Sequence, residues 1–203
     1  MRKSMRVRTG VTGLMAAACA GVLLAPSPAG AAQAPEASLA KVGSYCVVKV
    51  KTGKTTCYDT YRAYMAAMTG GRITDAPALE KAATDKKFQA RLNALATAPS
   101  AHEVAGVELY ENGHYGGRAI GFALDEPCKN DGQWDVQMSD LDDRNFDDIT
   151  SSVRAWGNCY VELYASANFK GIHNTYDQAD WVGEAMNDQA TSYRLKARGE
   201  AVN

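Results

Sequence analysis

The chain has 203 residues, 46% hydrophobic and 22% charged, with a formal net charge of −1. These totals exclude a collagen-like repeat and a disordered polyelectrolyte, and they average over unlike parts. Residues 1–32 open with Arg2, Lys3, Arg6 and Arg8, continue through a Gly/Ala-rich apolar stretch from Val11 to Ala25, and end in small residues around Ala31 and Ala32. This order reads as a secretory signal peptide, and the 15-residue apolar stretch is shorter than the ~20 residues a membrane-spanning helix needs. Residues 33–42 are Ala/Pro/Glu-rich and read as a disordered leader.

The small segment 43–98 follows. Cys46 to Val50 and Thr55 to Tyr58 are β-rich runs around Lys51, Thr52, Gly53 and Lys54, a hairpin with Gly53 supplying a positive φ. Asp59 and Thr60 are candidate N-caps for a helix from Tyr61 to Met68 that stops at Gly70 and Gly71. A second helical stretch ends over Asp85 to Leu95 and sets Phe88, Leu92 and Leu95 on one face. Thr97 to His102 reads as a linker. No catalytic signature occurs in this segment, and Met65, Met68 and the tyrosines are read as packing residues.

Beyond the linker the character changes to short alternating runs separated by Gly, Asn and Asp, and the charge changes with it. Residues 33–103 carry 10 Lys+Arg and 6 Asp+Glu, whereas residues 104–197 carry 7 and 16, a net of −9. That acidity argues against nucleic acid or an anionic membrane as partner and leaves metal cations or basic proteins open. Of five cysteines, Cys19 lies in the signal peptide; Cys46, Cys57, Cys128 and Cys159 remain, an even number that in an exported chain means two disulfides. Sequence permits three pairings. The expected pairing is Cys46 with Cys57 and Cys128 with Cys159, because it keeps each bridge within one compositional segment. No zinc-ligand spacing occurs, and His102, His114 and His173 are scattered.

The strongest feature is an internal repeat. Val107, Glu108, Leu109 and Tyr110 recur as Val161, Glu162, Leu163 and Tyr164. Each copy continues with an aromatic and a glycine at the same spacing, Tyr115 and Gly117 in the first, Phe169 and Gly171 in the second. Farther on, Asp147 to Ser152 answers Asn187 to Ser192. The openings are 54 residues apart and the closings 40, so the first copy holds about 14 extra residues, assigned to the acidic stretch Asp125 to Asp143. Val107 and Leu109 alternate with Glu108 and Tyr110, the period of a sheet with one buried face. Ser152 to Trp156 and Ser192 to Leu195 alternate likewise and read as the last strand of each copy. A single copy could not bury its apolar face.

An aromatic, four residues, an aromatic, one residue and a glycine, then a closing Asn/Asp-Asn/Asp-x-x-Ser/Thr-Ser, are the two marks of the βγ-crystallin Greek key. Both occur twice and in order, so residues 104–197 resemble this family. The resemblance implies a mainly β fold: a two-motif Greek key sandwich of four strands per motif, preceded here by a small α+β segment of a hairpin and two helices. It also implies two Ca²⁺ ions, each taking oxygens from both motifs. Carried over, the ligands are Asp148, Ser151 and the carbonyl of Ile149 from the first motif, Asp188, Thr191 and the carbonyl of Gln189 from the second, and the carbonyls of Glu111 and Ala165 from the hairpins. Oxygen-only ligation suits a hard ion, and so few carboxylates imply affinities on the order of 10⁻⁵ to 10⁻³ M. Asp140 to Asn145 is no EF-hand loop, since it lacks the Gly at position six and the Glu at position twelve.

The expected function is therefore a secreted, extracellular calcium-binding protein whose ions stabilise the fold, and not an enzyme: nucleophile-elbow, zinc-protease and phosphate-loop patterns are missing. The alternative is a secreted proteinase inhibitor, because crystallin-like metalloproteinase inhibitors with two disulfides are known. In that reading the partner is an extracellular proteinase and the disulfide-bearing stretch Asp125 to Asp143 is the docking loop. Intact calcium motifs and an added N-terminal segment depart from what inhibition requires.

Overall fold

The computed structural model describes residues 44–96, 98 and 102–199. The signal peptide, the leader and most of the linker lie outside the described residues. The Cys46–Cys57 and Cys128–Cys159 disulfides are both formed.

The N-terminal hairpin consists of β1 (Tyr45–Lys49) and β2 (Lys54–Tyr58), with Gly53 at a φ of +67° in its turn. Helix α1 (Tyr61–Met68) is capped by Thr60, whose side-chain oxygen accepts from the Ala63 N–H at 3.2 Å. It ends where the Gly71 N–H reaches back to the Ala66 carbonyl at 2.7 Å. The second helical stretch is two helices, α2 (Leu79–Thr84) and α3 (Lys86–Ala96), rather than one. Asp85 divides them: its backbone is extended, and its carboxylate accepts from the N–H groups of Lys87 and Phe88, both at 3.0 Å. An aspartate that can cap starts a new helix more readily than it continues an old one. Helix α3 buries Phe88, Leu92 and Ala96, and Leu95 is only half-buried.

The first motif supplies β3 (Val104–Asn112), β4 (Gly116–Leu124), β5 (Val136–Met138) and β6 (Ser152–Ala155). The second supplies β7 (Cys159–Ser166), β8 (Lys170–Tyr176), β9 (Gln178–Ala179) and β10 (Ser192–Ala197). One sheet has the order β2-β1-β4-β3-β6-β9 and the other β5-β10-β7-β8. The third strand of each motif has crossed to the other's sheet: β5 pairs with β10, and β9 with β6. Neither sheet is complete without a strand from its neighbour, which is why the motif comes in pairs. The insertion of the first motif is tied down by Cys128–Cys159 and by the Cys128 N–H, which donates to the Gly157 carbonyl at 2.8 Å.

Between the sheets lie Val107, Leu109, Ile120, Phe122 and Val153 from one side and Val161, Leu163, Tyr193 and Leu195 from the other, all buried. The Phe122 and Tyr193 rings meet edge-on at 4.7 Å. The other face of β3 differs from its expected polar, solvated character, because Glu108 and Tyr110 are fully buried. Their counterparts Glu162 and Tyr164 are also buried, at 3% and 6% exposure, and on β3 the N-terminal segment completes the cover. Strand β1 runs parallel to β4 and extends its sheet, with Tyr45 opposite Ala119 and Lys49 opposite Ala123. Helix α1 lies over the outer face, where the Tyr61 hydroxyl donates to Glu108 Oε1 at 3.3 Å. Segment and sandwich therefore share one sheet and one continuous core.

Candidate functional site

The site is built on two folded hairpins. After Tyr110 the chain turns through His114 and Tyr115 at φ values of 55° and 61°; after Tyr164 it turns through Asn168 and Phe169 at 58° and 61°. Gly117 and Gly171 follow at 76° and 82°. A Cβ on Gly117 would lie 2.8 Å from the Asn112 amide nitrogen and one on Gly171 3.0 Å from the Ser166 hydroxyl, so the glycines let each hairpin fold down. The paired aromatics close the turns edge-on, Tyr110 with Tyr115 at 5.6 Å and Tyr164 with Phe169 at 5.9 Å.

Each hairpin is pinned by the last serine of its own closing motif. Ser152 Oγ donates to the Asn112 carbonyl at 2.6 Å and accepts from the Tyr115 N–H at 3.0 Å. Ser192 Oγ does the same with the Ser166 carbonyl at 2.7 Å and the Phe169 N–H at 3.1 Å. An arginine two residues on stacks over the turn, Arg154 at 3.5 Å from the Tyr115 ring centre and Arg194 at 3.9 Å from that of Phe169. These serines and arginines position the site without being among its expected ligands; their signal in the sequence is their equal spacing in the two copies. Ser152→Ala and Ser192→Ala are each expected to cost about 1–3 kcal/mol in denaturant unfolding, because each removes two part-buried hydrogen bonds of about 0.5–1.5 kcal/mol apiece. A cost below about 0.5 kcal/mol for either variant would remove this role.

The pinned hairpins set the closing loops beside one another. The Ser151 N–H donates to the Tyr110 carbonyl and the Thr191 N–H to the Tyr164 carbonyl, both at 2.9 Å. Asp148 and Asp188 take positive φ values of 52° and 53° and cross over: the Asp148 N–H donates to the Ala190 carbonyl at 3.2 Å, and the Asp188 N–H to the Thr150 carbonyl at 3.1 Å. The side chains cross as well. Ser151 Oγ donates to Asp188 Oδ1 at 3.1 Å, and Thr191 Oγ1 donates to Asp148 Oδ1 at 3.3 Å.

The expected ligands thus fall into two groups related by the repeat. One has Asp188 and Ser151 beside the hairpin that bears Glu111, and the other has Asp148 and Thr191 beside the hairpin that bears Ala165. Ile149 and Gln189 each follow the positive-φ aspartate of their loop. The Glu111 side chain is turned away, accepting from the Arg118 N–H at 3.0 Å, which leaves its carbonyl as the atom relevant here. The two groups differ in one detail. Asn187 Nδ2 donates to Asp188 Oδ2 at 2.8 Å, whereas its counterpart Asp147 is a carboxylate whose Oδ1 is buried without a hydrogen-bond partner among the described residues.

The donors fit a hard cation. They are all oxygens, and a hydroxyl and a carboxylate oxygen about 3 Å apart can share one ion at bond lengths of about 2.3–2.6 Å. No group of three or more His, Cys, Asp or Glu side chains converges as a metal site among the described residues. A cation here would rest on one carboxylate per group, with hydroxyl, carbonyl and water oxygens completing the shell. The histidines stand apart: His114 Nδ1 is 3.4 Å from Asp180 Oδ2, and His173 Nε2 is 3.4 Å from Glu162 Oε1.

No family model and no curated protein matches the chain. Among solved structures, a βγ-crystallin domain from Clostridium beijerinckii is 26% identical, with 45% of this chain and 97% of that chain covered at a TM-score of 0.35. A βγ-crystallin domain from Flavobacterium johnsoniae is 21% identical, with 47% and 98% covered at 0.34, and the N-terminal domain of Protein S is 18% identical, with 46% and 98% covered at 0.37. The exchanged third strands, the two pinned hairpins and the crossed closing loops make residues 104–197 of this chain a βγ-crystallin-like Greek key sandwich.

Proposed function

We propose that the protein is a secreted calcium-binding protein in which two Ca²⁺ ions join the paired motifs and stabilise the sandwich. The observation that carries this reading is the reciprocal pairing of Ser151 with Asp188 and of Thr191 with Asp148. Each pair draws one oxygen from each motif, so an ion held by both would act as a cross-link between the two closing loops. The Asp147 Oδ1, buried without a hydrogen-bond partner among the described residues, and the net charge of −9 over residues 104–197 favour the uptake of positive charge. Bound Ca²⁺ supplies divalent charge and six to eight coordination positions; the chain supplies the oxygens and holds them in place through Ser152, Ser192 and the crossed backbone bonds. Secretion is supported by the two disulfides, which persist in oxidising compartments, and among the described residues no helix is long and apolar enough to cross a membrane.

The test is calorimetric titration together with thermal unfolding in Ca²⁺ and in chelator. A ligand that binds only the folded state adds RT ln(1 + [L]/Kd) per site, about 1 kcal/mol at a few-fold excess over Kd, so the melting temperature should rise by several degrees. The rise should vanish in Asp148→Ala/Asp188→Ala. Ser151→Ala should weaken the same site as Asp188→Ala, and Thr191→Ala the same site as Asp148→Ala, because the pairs cross. Identical melting curves and no heat of binding would sink the proposal.

A further inference from the structure

The two disulfides differ in what governs their reactivity. Cys128 and Cys159 are only 4% and 0% exposed. Cys46 and Cys57 instead face each other in register on β1 and β2. Strand β2 is the edge of its sheet, and Lys54 to Cys57 are open to solvent on it. The exposed member is Cys57; Cys46 is half-buried against the core. The bridge forms part of the wall of a cavity of about 380 Å³ between the hairpin and residues 143–146, together with Arg118, Ile120, Arg144 and Phe146. A disulfide beside an open cavity is accessible to a small attacking group, and accessibility is one of the controls on thiol–disulfide exchange.

The charged groups of that wall are unequal. Arg118 is ion-paired with Glu111 at 3.3 Å. Asp143 is the acid of the lining. Arg144 donates from Nη1 to the Thr55 hydroxyl on β2 at 3.3 Å, and its Nε is buried without a hydrogen-bond partner among the described residues. A guanidinium in this position favours a thiolate over a thiol.

We propose that the Cys46–Cys57 bridge is a thiol–disulfide exchange site for low-molecular-weight thiols. The incoming thiolate attacks the exposed Cys57 Sγ. A bond forms between the two sulfurs, the bond to Cys46 Sγ breaks, and Cys46 leaves as a thiolate, so one negative charge enters the step and one leaves it. A second thiolate attacks the external sulfur of the mixed disulfide, releases the small-molecule disulfide and leaves Cys57 as a thiolate; both cysteines then take protons from water. Two electrons have passed from two thiols to the bridge, and no other co-reactant is needed. Exchange removes the covalent tie on β2, which is then held by its ladder to β1 and by the Arg144–Thr55 bond, while β1 stays anchored by β4 and by buried Val47 and Val48.

The experiment uses the oxidised full chain in native buffer with reduced glutathione as the probe, quenched at intervals by alkylation and read by peptide mass spectrometry. Cys46 and Cys57 are expected to become labelled at least ten-fold faster than Cys128 and Cys159, with the transient glutathione adduct on Cys57. The proposal is overturned if all four cysteines open together, if the Cys46–Cys57 bridge opens only in denaturant, or if the adduct is recovered on Cys46. None of these outcomes depends on calcium, so the result stands apart from the proposed function.

Discussion

Arg154→Met is expected to destabilise the protein by about 3–5 kcal/mol, the range for removing one partner of a buried charge pair. Arg154 is 2% exposed and sits opposite Glu108, which is 0% exposed, on the neighbouring strand. Its Nη2 donates to the Ala83 carbonyl of α2 at 2.7 Å, while Glu108 accepts from Trp156 Nε1 at 2.7 Å and from the Tyr61 hydroxyl of α1. Two helices, the first hairpin and the sheet meet at this pair. Burial raises the Glu108 carboxyl above its ordinary value, and the attraction of Arg154 is the largest influence pulling it back. Methionine keeps much of the volume and removes that attraction, so the carboxyl moves higher still.

The pH dependence fixes the sign of the effect. A carboxyl whose folded pKa lies above its unfolded value binds a proton more tightly in the native state. Its contribution to stability is fully present below the ordinary glutamate value, about 4.3, and is lost as the pH rises through the raised folded value. The deficit of Arg154→Met should therefore be smaller at pH 5 than at pH 8. Urea unfolding at the two values measures it, and a deficit under 1 kcal/mol at pH 8, or one that does not change with pH, would contradict this account.

Gly121→Ala is the second substitution expected to have a large effect, about 1–3 kcal/mol, the usual cost of overpacking. Gly121 lies opposite Glu108 on the covered face of the sheet. A Cβ there would lie 2.2 Å from the Tyr64 hydroxyl oxygen and 2.6 Å from Met68 Sδ. Both side chains are at the end of flexible stems, yet both are fully buried in α1 and have nowhere to swing, so the helix must lift. The second motif provides the control. Thr175 occupies the equivalent place opposite Glu162, and it is exposed. Thr175→Ala should stay within about 0.5 kcal/mol of the parent in the same denaturation experiment. Equal effects at the two positions would show that helix packing does not distinguish the two faces.

The contrast between Gly121 and Thr175 shows where sequence reading stops. The repeat was legible because each copy needs the same atoms at the same places: an aromatic to close the turn, a glycine where a Cβ would collide, and a serine to pin the hairpin. The turn at Gly53, the cap at Thr60 and the Cys46–Cys57 bridge across that turn were legible for the same local reason. The split at Asp85 was less so, because a helical periodicity can run through a capping residue that the chain uses as a boundary. The ligand set Asp148, Ser151, Asp188 and Thr191 could be named from the motifs, but its crossed pairing could not, since hydrogen bonds between residues 37 and 43 positions apart leave no periodic trace.

Period-two alternation and turn chemistry are local properties fixed within a few residues, so two copies of one four-stranded unit can be read directly from residues 104–197. Long-range packing sets which sheet each strand joins, that β1 extends one of those sheets, and that Gly121 is buried while Thr175 is exposed. Alternation states that two faces exist and which residues share one. What covers a face depends on long-range packing, and here α1 covers one of two nearly identical surfaces, so that Gly121 is buried where its counterpart Thr175 is open to solvent.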